Sequence, residues 1–289
     1  MLLRTRLLAA VLVTLAPLSA AHAERLFGLT TLGTIVTFDT NGVGTILSTA
    51  AISGVGAGET LLGIDFRPTN RVFYTLSSAG NLYSLARNSL GYSASLVGNT
   101  GVAVTGNVGL DFNPVADRLR AVTTGNDNLR INPASAATLV DQAINYPGNP
   151  GLDPEIVGVA YSNNRPGAAS TIEYGIDAAT DSLVRFISPN AGTLQTIGSL
   201  NIAVASTDRV GFDISGLLGD AFMTRNDRLY TVNLATGAAI NLGRIGGNSG
   251  PMITGITAAV VPEPATWALL IGGFGAVGAS ARRRRATAA

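Results

Sequence analysis

The chain has 289 residues, with 19 basic side chains, all of them arginine, 18 acidic side chains and a net charge of +1. It contains no cysteine and no lysine, and its single histidine is His22. The absence of cysteine excludes disulfide bonds and a lipid-bearing cysteine, and the near-neutral charge gives no reason to expect a nucleic-acid partner.

The first predicted element is a secretory signal peptide over residues 1–23. Arg4 and Arg6 precede an apolar run over residues 7–16, and Ala21-His22-Ala23 has the form of a cleavage site. The run is too short to span a bilayer, which argues against an N-terminal anchor. We therefore expect signal peptidase to cut after Ala23, so that the exported chain begins at Glu24.

Residues 24–260 contain an internal repeat that begins with a glycine flanked mostly by apolar residues. The glycines lie 44 to 53 residues apart, and periods of this length indicate a stacked or circular array. The phrase occurs at Leu62-Gly63-Ile64-Asp65, Val108-Gly109-Leu110-Asp111, Val157-Gly158-Val159-Ala160, Val210-Gly211-Phe212-Asp213 and Thr254-Gly255-Ile256-Thr257.

Three further β-rich runs follow the glycine phrase in each repeat, separated by polar turns. Examples are Arg118–Thr123 for the second run, Asn128–Ile131 for the third and Gln195–Gly198 for the fourth. Short alternating runs bounded by Gly, Asn, Asp and Pro are typical of antiparallel strands. Four such strands per repeat predict the blade of a β-propeller.

The two ends of this region complement each other. Leu26–Thr30, Gly33–Phe38 and Gly44–Leu47 match the last three strands of a blade, and Met252–Thr257 matches a first strand without followers. Pairing them would close a ring of five four-stranded blades and leave no open edge. We predict this all-β, five-bladed propeller, with an open β-sandwich or a β-solenoid as the alternatives. Residues 141–155 are the longest predicted loop.

Asp65, Asp111 and Asp213 occupy the same position of three predicted innermost strands, whereas Ala160 stands there in a fourth repeat. A rotational repeat would place the three carboxylates at one level of the central channel. Oxygen ligands suit Ca²⁺, so the cluster is a candidate cation or ligand site, with Ca²⁺ as the cofactor. Alternatively, each aspartate caps its own turn through local backbone hydrogen bonds.

Catalysis is restricted by what the exported domain lacks. Without His, Cys or Lys it has no histidine base, no cysteine nucleophile, no Schiff base and no N- or S-ligated zinc. Carboxylate chemistry remains, and Glu59, Glu155 and Glu173 are candidates for a glycosidase by elimination only. We see no paired motif and predict that the domain is not an enzyme, with a carboxylate-based carbohydrate-active enzyme as the alternative.

The repeats share Gly-Ile-Asp-Phe-x-Pro at residues 63–68 and Gly-Leu-Asp-Phe-Asn-Pro at residues 109–114. On this pattern, residues 25–260 resemble the bacterial domain-of-unknown-function family four-three-nine-four. The resemblance supports the fold and implies no activity.

The C-terminal residues 261–289 combine a short motif, an apolar segment and a basic end. Val261-Pro262-Glu263-Pro264 precedes the uncharged residues 265–281, and Arg282-Arg283-Arg284-Arg285 follow. As a helix, residues 265–281 would span about 26 Å, which predicts a short transmembrane helix whose arginines stay in the cytoplasm. Losing both terminal segments changes the net charge from +1 to −4.

This tail resembles the PEP-CTERM sorting signal. The resemblance implies cleavage near Pro-Glu-Pro by an exosortase, transient membrane anchoring, and release to the cell surface or extracellular matrix. It also implies a non-catalytic binding or scaffolding role in a matrix of exopolysaccharide, or binding to surface proteins.

Overall fold

The computed structural model describes residues 23–259. The predicted signal peptide up to His22, the last domain residue Val260 and the predicted tail over residues 261–289 lie outside them. Two short 3-10 helices, Pro189–Ala191 and Gly247–Ser249, accompany the strands. The strands are β1 Arg25–Thr30, β2 Thr34–Asp39, β3 Ser48–Ser53, β4 Leu61–Arg67, β5 Val72–Ser77, β6 Asn81–Arg87, β7 Gly91–Asn99, β8 Val108–Asn113, β9 Arg118–Thr123, β10 Asn128–Ile131, β11 Thr138–Val140, β12 Ile156–Tyr161, β13 Glu173–Asp177, β14 Ser182–Ser188, β15 Thr193–Ser199, β16 Val210–Ile214, β17 Ala221–Arg225, β18 Arg228–Val232, β19 Ala239–Arg244 and β20 Ile253–Thr257.

The strands form five antiparallel groups of four. Group 1 is β20-β1-β2-β3, group 2 is β4 to β7, group 3 is β8 to β11, group 4 is β12 to β15 and group 5 is β16 to β19. Groups 1 and 2 also share an edge, because β3 pairs in parallel with β7 from Ala51–Gly91 to Ser53–Ser93. These two groups therefore make one eight-stranded sheet, a junction that the sequence pattern does not predict.

The first strands of the five groups surround a common axis. Each of β4, β8, β12, β16 and β20 contacts the next in that order, and β20 contacts β4. The C-terminal strand β20 pairs with β1 along Phe27–Thr257 and Gly28–Ile256, as the sequence predicts. The all-β, propeller-like architecture is therefore confirmed.

The hydrophobic core consists of five clusters, and each lies between two neighbouring groups. Leu76 of group 2 packs with Phe112 of group 3, for example, and Ile176 of group 4 packs with Met223 of group 5. The other clusters join groups 1 and 2, groups 5 and 1, and groups 3 and 4. Burial of apolar surface therefore holds every group to both of its neighbours.

One predicted strand is wrong. Gly44–Leu47 are not a strand: Gly44 ends a turn, and the next three residues lead without regular structure into β3 at Ser48–Ser53, the fourth strand of group 1. The prediction followed β-branched residues, but pairing to Thr34–Thr37 begins only at Ser48. Along the described residues, no helix has the length and apolar character needed to cross a membrane.

Candidate functional site

The glycine of each repeat phrase lets adjacent innermost strands approach closely. A Cβ atom on Gly109 of β8 would lie 2.5 Å from the backbone nitrogen of Val159 in β12, and one on Gly211 would lie 2.6 Å from that of Ile256. Any side chain there would push the strands apart. Because the glycines fix the register around the axis, the residues two positions later come close together.

Those residues include Asp65, Asp111 and Asp213, which we call the aspartate cluster. Each is only 1% exposed. One carboxylate oxygen from each lies within 4.8 Å of those of the other two. The structure thus brings together all three residues that the sequence singles out. Ala160 and Thr257 hold the equivalent positions of β12 and β20.

Two of the three carboxylates are held by backbone N–H groups. Asp65 accepts hydrogen bonds from Phe66 at 2.6 Å and from Phe112, on the next innermost strand, at 2.7 Å. Asp213 likewise accepts from Ile214 and from Ala258, both at 2.6 Å. Each therefore ties its own strand to the next one, which goes beyond the local turn cap considered from the sequence.

Asp111 differs from the other two because neither of its oxygens accepts a hydrogen bond. Asp65 and Asp213 each accept from the backbone N–H of the residue that follows them. For Asp111 that residue is Phe112, whose N–H already donates to Asp65. The backbone N–H of Tyr161 lies close enough to lower the pKa of Asp111 without forming a hydrogen bond of ordinary geometry. Where two adjacent innermost strands both carry aspartate, as β4 and β8 do, there are too few backbone N–H donors for both carboxylates.

The electrostatics of the cluster favour neutralisation. Burial raises the pKa of Asp111 well above its usual range, and the carboxylates of Asp65 and Asp213 raise it further. Burial likewise raises the pKa of Asp65 and that of Asp213, against the lowering effect of their backbone donors. No described arginine forms an ion pair with the cluster. A buried charge without a partner is costly, so the cluster needs protons or a cation.

A second buried polar site lies between groups 3 and 4 and was not predicted from the sequence. Its centre is Arg120 of β9, which is 2% exposed. Its guanidinium donates to Asp141 Oδ2 at 2.8 Å and to the Tyr161 hydroxyl at 3.2 Å. It also donates to Asn128 and Asn190, and its Nε lies 3.5 Å from Glu173 Oε2.

Glu173 is the most perturbed acid of this second site. Burial raises its pKa to about 7, although the charge of Arg120 and a 2.7 Å hydrogen bond from the Tyr161 hydroxyl lower it. Its other oxygen, Oε1, has no hydrogen-bond partner. Glu173 therefore changes charge near neutral pH.

A cavity of about 300 Å³ opens beside this network, and we call it the arginine pocket. Its lining includes Arg118, Arg120 and Arg130, together with Tyr161 and Asn190. Arg130 is held by Asp141 at 2.6 Å, and Arg118 is exposed. The three guanidinium groups face two acids, Asp141 and Glu173, and Glu173 is partly protonated at neutral pH. The site therefore has an excess of positive charge, which suits an anionic group.

A larger cavity of about 540 Å³ lies at the entry ends of the innermost strands, and we call it the axial cavity. Hydroxyl groups of Thr60, Ser78, Ser206 and Thr207 line it beside aliphatic side chains. Its one charged lining residue, Arg209, donates to Asn107 Oδ1 at 3.0 Å. Such a lining suits neutral hydroxylated groups better than anions.

The remaining sequence-predicted residues are dispersed. Glu59 accepts hydrogen bonds from Tyr83 and Asn81 in group 2, and Glu155 precedes β12, so neither meets Glu173. Ala23 is exposed beside the buried Glu24, which accepts a hydrogen bond from Ser215. Ala21, Val261, Pro262, Glu263, Pro264 and Arg282 to Arg285 lie outside the described residues.

The signal for the arginine pocket was present in the sequence of β9. Arg118-Leu-Arg-Ala-Val-Thr123 places Arg118 and Arg120 on one face of a strand, and the structure leaves the first exposed and buries the second. A buried arginine needs acidic partners. Those partners, Asp141 and Glu173, belong to different groups, so periodicity along the chain could not identify them.

Comparison with known proteins gives two family matches. The model of a domain of unknown function, DUF4394, matches residues 34–257, and the PEP-CTERM protein-sorting motif matches residues 260–285. No curated protein matches the chain.

Among solved structures, three matches have low sequence identity and TM-scores below 0.5. A structural genomics protein of unknown function from Bacteroides thetaiotaomicron is 12% identical, with a TM-score of 0.49 over 82% of this chain and 65% of its own. Myxococcus xanthus glutaminyl cyclase is 14% identical, with a TM-score of 0.46 over 76% and 97%. The dihydro-heme d1 dehydrogenase NirN is 12% identical, with a TM-score of 0.37 over 79% and 46%. The chain thus spans less than two thirds of the first of these structures.

Proposed function

The chain belongs to the family of domains of unknown function DUF4394, and we propose that it is an exported, non-catalytic binding protein of the cell surface or extracellular matrix. Its five groups would be the blades of a five-bladed β-propeller closed by the β1–β20 pair. The proposed ligand is an acidic exopolysaccharide.

The position of the sorting motif carries this proposal. The closing strand β20 ends at Thr257, and the PEP-CTERM motif begins at residue 260. The motif implies export and processing by an exosortase. Almost no chain separates the folded domain from the sorting motif, so processing there would keep the domain and its candidate sites on the released product.

The arginine pocket supports an acidic ligand. After loss of the two terminal segments the chain has a net charge of −4, so the domain as a whole repels an anionic polymer. Attachment then needs a local site with excess positive charge. Arg118 lines such a site with an exposed guanidinium, and guanidinium groups bind carboxylates with two parallel hydrogen bonds, as Arg130 already does with Asp141.

A carboxylate-based carbohydrate-active enzyme is the second candidate. The observation that favours it is the pKa of Glu173, which burial raises to about 7, a value suited to a general acid. Glu173 lies behind Tyr161 and is 1% exposed, however, and a glycosidase needs a second carboxylate facing the same substrate. Asp141, the other acid of this network among the described residues, is already paired with Arg120 and Arg130. We therefore favour binding over hydrolysis.

The proposal is tested by co-sedimentation of the purified full-length protein, in detergent, with the host's extracellular polysaccharide. We expect retention that decreases with salt and falls several-fold in Arg118→Ala. The matched control is Arg185→Ala, an exposed arginine of β14 that donates to Gln195; it should be retained like the wild type. Release of reducing sugar that Glu173→Gln abolishes would instead establish the enzyme.

Three outcomes separate the alternatives. Protein that stays wholly in solution contradicts matrix binding and leaves surface proteins as partners. If neither salt nor Arg118→Ala reduces retention, the arginine pocket is not the binding site. The hydroxyl-lined axial cavity would then be the candidate. Equal losses in Arg118→Ala and Arg185→Ala would indicate general charge rather than a site.

A further inference from the structure

The aspartate cluster contains more buried negative charge than the surrounding protein compensates. Asp65 and Asp213 each accept two backbone N–H groups, and Asp65 also accepts the Thr257 hydroxyl at 2.9 Å. Hydrogen bonds of this kind stabilise a carboxylate but leave its charge in place. No arginine of residues 23–259 forms an ion pair that would offset this charge.

Asp111 is the observation that points to a ligand. It is 1% exposed, and both of its oxygens lack a hydrogen-bond donor. Leaving a buried acceptor unsatisfied is costly, and most buried polar atoms in proteins are paired. Asp111 lies against two other carboxylates and accepts no hydrogen bond of ordinary geometry from a described residue, so its lone pairs are free to bind a metal ion.

The spacing agrees with one shared cation. Two oxygens that bind the same Ca²⁺ ion at about 2.4 Å lie at most about 4.8 Å apart. The three aspartates each present one oxygen within 4.8 Å of the other two. All ligand atoms are oxygens, which selects a hard cation.

The ligand chemistry favours calcium over magnesium. Mg²⁺ retains several of its own waters, whereas Ca²⁺ accepts carboxylates in bidentate geometry and irregular coordination. Each aspartate presents one oxygen to the other two, and the tolerance of Ca²⁺ for irregular coordination suits such a partial set of protein ligands.

We propose that Asp65, Asp111 and Asp213 bind one Ca²⁺ ion, which ties β4, β8 and β16 together at the centre of the ring. This site is independent of the proposed polysaccharide-binding role and would persist if that role failed. Through the bond from Thr257 to Asp65, the ion also reaches the closing strand β20. The ion would thus stabilise the closed ring from its axis.

The test is thermal unfolding of the full-length protein in detergent, first stripped with EDTA and then titrated with Ca²⁺. Calcium at about 100 times its Kd should raise Tm by about 5–10 °C, with one ion bound per chain by equilibrium dialysis. Asp111→Asn should abolish the Tm shift and the bound ion. The matched control is Asp177→Asn, also fully buried, whose carboxylate accepts from Tyr146 and from the Glu155 backbone; it should keep the shift.

Several results would overturn the site. They are an unchanged wild-type Tm at millimolar Ca²⁺, a calcium shift that Asp111→Asn retains, or a shift that Asp177→Asn loses to the same extent. A Tm shift of equal size with Mg²⁺ would overturn the assignment of calcium. If Asp111→Asn fails to fold, equilibrium dialysis of the wild type decides, because a chain that binds no Ca²⁺ contradicts the proposal.

Discussion

The aspartate cluster and the arginine pocket both bury carboxylates, but they differ in how the charge is compensated. In the arginine pocket, burial acts to raise the pKa of Asp141, and hydrogen bonds from Arg130 and Arg120 outweigh it, so that the pKa falls. In the aspartate cluster no described arginine forms an ion pair, and burial raises the pKa of all three acids.

This difference follows from where each site lies. The cluster sits where five innermost strands meet, and the close approach at the glycines leaves no space for a long basic side chain. The pocket lies between two neighbouring groups, where a guanidinium can reach acids from both. A ring of strands can therefore neutralise its axis only with small species, namely protons or a metal ion, whereas its periphery can use side chains.

The largest expected effect comes from breaking the compensated site. Arg120→Ala removes the partner of Glu173 and one of two partners of Asp141, so buried charge is left unpaired. The free energy of unfolding should fall by about 3–5 kcal/mol, measured by urea denaturation at pH 7. Arg185→Ala, an exposed arginine, should change it by less than about 0.5 kcal/mol. A loss for Arg120→Ala as small as that of the control would contradict a charge-compensating role.

In the aspartate cluster, removing a charged group should stabilise the protein rather than destabilise it. In EDTA at pH 8, Asp111→Asn should raise the free energy of unfolding by about 1–3 kcal/mol, because the amide replaces a buried, unsatisfied charge. Removing charge from Asp177, which is fully hydrogen-bonded, should instead lower stability. Urea denaturation of both variants measures this contrast.

The pH dependence supplies the control for this prediction. Because the folded pKa of Asp111 is raised, the stability that it contributes is complete below the unfolded pKa of about 3.9 and is lost as pH rises through the folded value. The gain from Asp111→Asn should therefore shrink between pH 8 and pH 5. Measurements below pH 4 are avoided because Asp117 and Asp208, whose pKa values are lowered, then lose their pairing. A gain that is constant with pH would show that charge is not its cause.

The same two sites show how much of the structure could be predicted from the sequence. Repetition predicted the aspartate cluster, because residues at one position of a repeat come to one level once the strands close into a ring. It also predicted the four-strand groups and the β1–β20 pairing. The missing hydrogen bonds of Asp111 could not be predicted, since they result from competition with Asp65 for one N–H group.

The arginine pocket could not be predicted from the sequence repeat. Arg120, Tyr161 and Glu173 have no equivalents in the other repeats, and they come from β9, β12 and β13. Their meeting depends on packing between groups 3 and 4, which a period along the chain does not encode. The displaced strand β3 has a similar cause, because its parallel pairing with β7 is made between groups rather than within one.

The smallest expected effect distinguishes the two kinds of buried acid within the arginine pocket itself. Glu173 has a folded pKa of about 7, raised by burial above its ordinary 4.5. Its contribution to stability is complete below pH 4.5 and is lost as pH rises through 7. At pH 6, where the acid is mostly neutral, Glu173→Gln should change the free energy of unfolding by less than about 1 kcal/mol.

Between pH 5 and pH 8 the effect of this substitution should grow and favour the variant, because glutamine cannot acquire the charge that the wild type must bury. Urea denaturation at three pH values in the presence of Ca²⁺ isolates this slope from that of the aspartate cluster. A wild type whose stability declines no faster than that of Glu173→Gln would mean that Arg120 keeps Glu173 ionised throughout. The arginine pocket would then be fully compensated, and its contrast with the aspartate cluster would be complete.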